Sequence, residues 1–92
     1  MSVGTLFLIP VPLGQVAPEA SLPAPVLAQI RGLSHFVVEN AKSARAFLKA
    51  VGTEQALQAL HLEELNEHTR KEALESLLAP LHAGHDLGLL SE

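Results

Sequence analysis

The chain has no cysteine, tryptophan or tyrosine, and its only aromatic side chains besides histidine are Phe7, Phe36 and Phe47. Without cysteine there is no disulfide framework and no thiolate metal site, a composition that suits a reducing compartment. Basic residues are scarce as well. Six Lys and Arg against ten Asp and Glu leave a net charge of −4, which offers no electrostatic footprint for nucleic acid. The longest apolar stretch, Leu6 to Leu13, is too short to span a bilayer, and no basic segment precedes it as a signal peptide requires. These features predict a cytoplasmic protein with no membrane partner. Also missing are G-x-G-x-x-G, G-x-x-x-x-G-K-[ST] and the nucleophile-elbow motif, so neither nucleotide fingerprint nor an α/β-hydrolase site is available.

What is present is enough apolar material, 48% of 92 residues, for one small packed domain. The chain is organised around Thr5 to Gly14. Six of these ten residues are Leu, Ile, Val or Phe, with no charge and no polar alternation. A strand buried on both faces of a parallel sheet reads this way, and the run is expected to be the central strand. It ends in Pro-x-Pro-x-Gly, where Pro12 cannot donate to a sheet ladder and Gly14 tolerates backbone angles that other residues avoid. Small ligands of open α/β sheets bind beyond the carboxyl ends of the strands, which makes Pro12, Leu13 and Gly14 a candidate site and equally a simple strand-breaking turn.

Strand and helix signals then alternate. Pro23 and Pro25 stand where a helix begins, Val26, Leu27, Ile30 and Leu33 give it one apolar face, and Gly32 is a natural stop. His35 to Val38 is a second strand. In the next helix Ala44, Phe47, Leu48 and Val51 recur at helical spacing, Lys42, Arg45 and Lys49 take the outer face, and Gly52 ends it. Residues 55–65 prefer helix by composition, but a third strand near Leu60 to Leu65 continues the alternation a parallel sheet needs. Thr69 to Glu72 has the form of a capping box before the stripe Leu74, Leu77, Leu78 and Leu81. Pro80 is expected to kink or end that helix, with Gly84 as terminator. Asp86 to Leu90 reads as a fourth strand with no helix after it, so the sheet looks cut at that strand. The expected fold is an α/β domain with a parallel sheet of about four strands and crossover helices, in the order β-α-β-α-β-α-β.

Four polar clusters fall at strand carboxyl ends: Pro12 to Gly14, Glu39-Asn40, Asn66 to Thr69, and Ser91-Glu92. Parallel strands bring all four to one edge, so separated polar residues are expected to form one crevice. Each has a plainer role open to it. Asn40 or Ser43 can cap the second helix, Thr69 the third, Glu39 can sit in solvent, and His68 can be a surface loop histidine. His61, His68, His82 and His85 lack H-E-x-x-H spacing and lie on different expected elements, so no metal site is expected.

The stretch Gly4 to Gly14 resembles the opening of the tetrapyrrole-methylase superfamily. The resemblance is to the branch related to 16S ribosomal RNA 2′-O-ribose methyltransferases, which begins G-T-L-x-x-V-x-T-P-I-G. Val38 to Arg45 falls where that branch carries A-E-D-T-R-x-T-R, keeping Glu39 and Arg45. Asn66-Glu67-His68 lies where the family has a His/Asn/Glu-rich segment, and Gly84 to Ser91 looks like its G-x-x-x-A-L-V-S. Asn40, Ala41 and Lys42 replace the Asp-Thr-Arg of the ribosomal branch, and Glu92 stands where that branch has Asp.

The resemblance implies the amino-terminal domain of a two-domain enzyme that transfers a methyl group from S-adenosylmethionine, homodimeric in its full-length form. It implies that Pro12, Leu13, Gly14 and Ser91 border the cofactor and that Glu39, Asn40, Arg45 and His68 face the substrate side. The methyl acceptor stays open between RNA, a tetrapyrrole and another small molecule, and no residue is assigned as catalytic base. The competing expectation is a non-enzymatic α/β module that binds a partner or itself through an uncovered strand.

Overall fold

A computed structural model describes residues 3–11, 18, 22–65 and 71–91, with side chains of residues 71–74 excepted. Four strands form one parallel sheet: β1 (Leu6–Pro10), β2 (His35–Val38), β3 (His61–Glu64) and β4 (Leu87–Ser91). Helices α1 (Ala24–Arg31), α2 (Ala41–Val51) and α3 (Lys71–His82) alternate with them, giving the expected α/β class. The spatial order is β1-β4-β2-β3.

That order corrects two expectations. β1 is not the central strand but an edge strand, and β4 is not the open end of the sheet but lies between β1 and β2. An apolar run reports burial without saying which strand is the neighbour, and here burial is one-sided. Ile9 is buried and Phe7 half-buried on the face shared with Leu90, while Leu6 and Leu8 point to the other face, with Leu8 72% exposed. The strand is also shorter than the run, ending at Pro10, and the Val11 amide then donates to the Ser91 carbonyl at 2.7 Å.

The two faces of the sheet are covered differently. Phe36 and Val38 of β2 join Leu27 and Ile30 of α1 and Ala44, Phe47, Leu48 and Val51 of α2 in the main core. Val37, with Leu87 of β4, packs on Leu77 of α3 on the opposite face. The period-2 alternation along β2 thus distributes its side chains to two helical layers.

Local signals explain the element ends. Pro23 and Pro25 flank the start of α1, where missing amides cost nothing. Leu57–Ala59 form a 3-10 turn, which uses the helix-prone residues before β3 and leaves His61–Glu64 for the strand. Pro80 does not end α3, which runs on to His82; it removes only one amide close to the end of the helix. The termination is a Schellman motif. Gly84, at φ +90°, donates its amide to the Leu81 carbonyl at 3.1 Å, and the His85 amide donates to the Pro80 carbonyl at 2.9 Å. The Thr69 capping box lies outside the described residues.

Candidate functional site at the carboxyl edge of the sheet

Asn40 follows β2 and has the extended backbone of an N-cap, φ −146° and ψ 119°, so its side chain turns back over the first turn of α2. Its Oδ1 accepts the Ser43 amide at 2.9 Å. This is the capping role left open between Asn40 and Ser43, and Asn40 fills it. Asn40→Ala is expected to lower stability by about 1 kcal/mol, read as a lower urea midpoint at unchanged slope.

Glu64, the last residue of β3, is bound to the same helix start: its Oε1 accepts the Ala41 amide at 3.0 Å. A carboxylate at a helix N-terminus is favoured by the exposed amides and the helix dipole. Glu64 was not among the residues expected at this edge. The usable signal was that the carboxyl end of β3 must meet the amino end of α2 if β2 and β3 are neighbours.

Glu39 and Ser91 also meet. Val38 pairs with Leu90, which places the next residues of β2 and β4 side by side, and Ser91 Oγ donates to Glu39 Oε1 at 3.5 Å. The edge therefore gathers two exposed carboxylates, an amide side chain and a hydroxyl above the buried floor of Ile9, Val38 and Leu90. The chain leaves β2 for α2 on one face of the sheet and leaves β3 for α3 on the other. In open α/β sheets ligands bind beyond the carboxyl ends of the strands; here the diverging pair is β2 and β3, and the Glu39–Ser91 contact lies on the β4 side of β2.

The other expected members stand as follows. Arg45 is a turn further along α2, where it lines a separate surface hollow of about 420 Å³ with Leu57, Gln58, Leu60 and Leu62. It is not gathered with Glu39 and Ser91. Pro12, Leu13, Gly14 and His68 lie outside the described residues. Among the described residues no group of three or more His, Asp or Glu could hold a metal ion.

Chemically the edge can accept hydrogen bonds from hydroxyl or ammonium groups and place negative charge beside a cation. No protein-family model matches the sequence, and no curated protein matches it significantly. Among the described residues no helix is long and apolar enough to cross a membrane.

Proposed function

We propose that this chain is the amino-terminal α/β domain of a cytoplasmic S-adenosylmethionine-dependent methyltransferase similar to the tetrapyrrole methylases. The observation that carries the reading is the convergence of Glu39, Asn40, Glu64 and Ser91 at one carboxyl edge. Glu39 and Ser91 are two of the positions at which the sequence resembles that superfamily.

The donor set suits the cofactor in kind. Carboxylates accept from ribose hydroxyls and an ammonium group, and their charge complements a sulfonium. Bound there, S-adenosylmethionine supplies an electrophilic methyl group on sulfur for an acceptor oxygen, nitrogen or carbon. On this reading the chain contributes position. Asn40 and Glu64 fix the start of α2, Ser91 Oγ orients Glu39, and the apolar floor keeps the edge rigid. The acceptor class, RNA or tetrapyrrole or another small molecule, belongs to the same proposal, as does a homodimeric assembly.

The test is thermal unfolding of the protein expressed from its complete gene, with and without S-adenosylmethionine. A ligand that binds only the folded state adds about 2.7 kcal/mol at a hundredfold excess over its dissociation constant. A raised melting temperature that saturates with ligand is the expected result. No shift at millimolar cofactor would remove the enzyme reading and leave the self-association module, for which exposed Leu6 and Leu8 on the edge strand are the supporting observation.

A further inference from the structure

The amino edge of the sheet holds a cluster that the methyltransferase reading does not use. His35 opens β2 and His61 opens β3, directly opposite each other in the parallel register. His35 also pairs with Leu87, so His85, two residues before Leu87, falls on the same face of the sheet. The three imidazoles stack. His35 and His61 have ring centroids 4.5 Å apart at 12°, and His35 and His85 have centroids 4.6 Å apart at 23°. His35 is the middle ring, and its Nδ1 shares a 3.0 Å hydrogen bond with Ser34 Oγ.

The turn that carries His85 is held on its other side by residues 3–5. The Gly4 amide donates to the Leu81 carbonyl at 2.8 Å, the Thr5 amide to Asp86 Oδ1 at 2.8 Å, and the Leu87 amide to the Thr5 carbonyl at 2.9 Å. The turn is therefore docked by hydrogen bonds to the main chain of Gly4 and Thr5 on one side and by a ring stack on the other. Neutral imidazoles stack as aromatic faces, whereas two adjacent imidazolium rings would set like charges within 5 Å.

We propose that the His61–His35–His85 column is a proton-sensitive clasp: neutral rings join the α3–β4 turn to β2 and β3, and uptake of a second proton by the column releases that turn.

Two carboxylates stand beside the outer rings. Glu63 lies on the same face of β3, two residues from His61, and lines a hollow of about 330 Å³ with His35, His61, and Ser76 and Pro80 of α3. Asp86 adjoins His85 and accepts the Thr5 amide. Glu75 and His82 of α3 are exposed and do not line that hollow, and residues 3–5 carry no titratable side chain. Burial, and then the neighbouring His61 and His85, hold His35 below the ordinary histidine value of 6.5. A histidine with a lower pKa folded than unfolded binds fewer protons in the fold. Its contribution to stability is complete above pH 6.5 and is lost as the pH falls from 6.5 through the folded value.

The experiment is an imidazole NMR titration from about pH 7.5 to 5, with melting temperatures over the same range, on the wild type, His35→Phe and His85→Gln. Phenylalanine keeps a ring in the stack and removes its proton. The expected result is a wild-type melting temperature that falls with pH, and amide signals of Gly4, Thr5 and Leu87 that move with the column's titration. Most of this pH dependence is expected to vanish in His35→Phe. A wild-type melting temperature that does not change with pH would overturn the proposal. So would an undiminished dependence in both variants, or a His35 that titrates at or above the ordinary value. Should His35→Phe fail to fold, the wild-type titration and His85→Gln decide.

Discussion

Phe36→Ala is expected to destabilise the fold by about 3–5 kcal/mol, the largest effect of any single truncation proposed for this chain. Phe36 has no exposed surface, sits in the middle strand pair, and belongs to the core that α1 and α2 build on one face of the sheet. Its ring crosses β4 at Gly88, where an added Cβ would come within 2.9 Å of the Phe36 Cδ1. The ring and the glycine are complementary. Truncating Phe36 leaves a cavity between the sheet and the side chains of α1 and α2 that pack on it, so the cost falls in the range for large-to-small changes. Small domains have little stability to spare, so the variant is expected to be largely unfolded at 37 °C, seen as loss of cooperative thermal unfolding by circular dichroism. A cooperative transition close to that of the wild type would mean that Phe36 is not the centre of the core.

Gly4→Ala is expected to cost about 3 kcal/mol, although Gly4 is near the amino terminus and only half-buried. The reason is a main-chain contact. A Cβ at Gly4 would overlap the His85 carbonyl group and lie 3.1 Å from the Asp86 amide nitrogen. Neither partner can turn away as a flexible side chain could, because the Gly4 amide is bound to the Leu81 carbonyl and His85 is fixed by the Schellman motif. With about 4–8 °C lost per kcal/mol in a domain of this size, the melting temperature is expected to fall by more than 10 °C. Gly32→Ala is the control. Gly32 has φ −87° and nothing closer than 3.8 Å to an added Cβ, so that variant is expected to stay within about 0.5 kcal/mol of the wild type.

The fold was readable where burial alone determines the element. The α2 stripe Ala44, Phe47, Leu48 and Val51 is the set of side chains that helix buries, and Gly52 is its stop. The strand at His61–Glu64 was readable only through topology. Its residues prefer helix, and pairing with β2 prevails over that preference. Strand order was not legible. The insertion of β4 between β1 and β2 depends on which neighbours bury most surface together, and no local signal in Thr5 to Gly14 says that one face of β1 will stay exposed.

The site was legible in the same uneven way. Glu39, Asn40 and Ser91 were expected at one edge because parallel strands share a direction, and they lie together there. Arg45 lines the hollow beside Leu57 to Leu62 because it stands one turn, about 6 Å of rise, beyond the first residue of α2. Glu64 and the stacking partner His35 went unnoticed because their significance lies in cross-strand register, which a single sequence does not display.

The proposed function requires the carboxyl edge to be the ligand site, and the most direct measurement is residue-resolved. Amide NMR shifts would be followed while S-adenosylmethionine is titrated into the protein expressed from its complete gene. Saturable shifts centred on Glu39, Asn40, Ala41 and Ser91 are expected, with His35, His61 and His85 at the opposite edge unmoved. No saturable shifts, or shifts centred on the histidine edge, would contradict the proposed function.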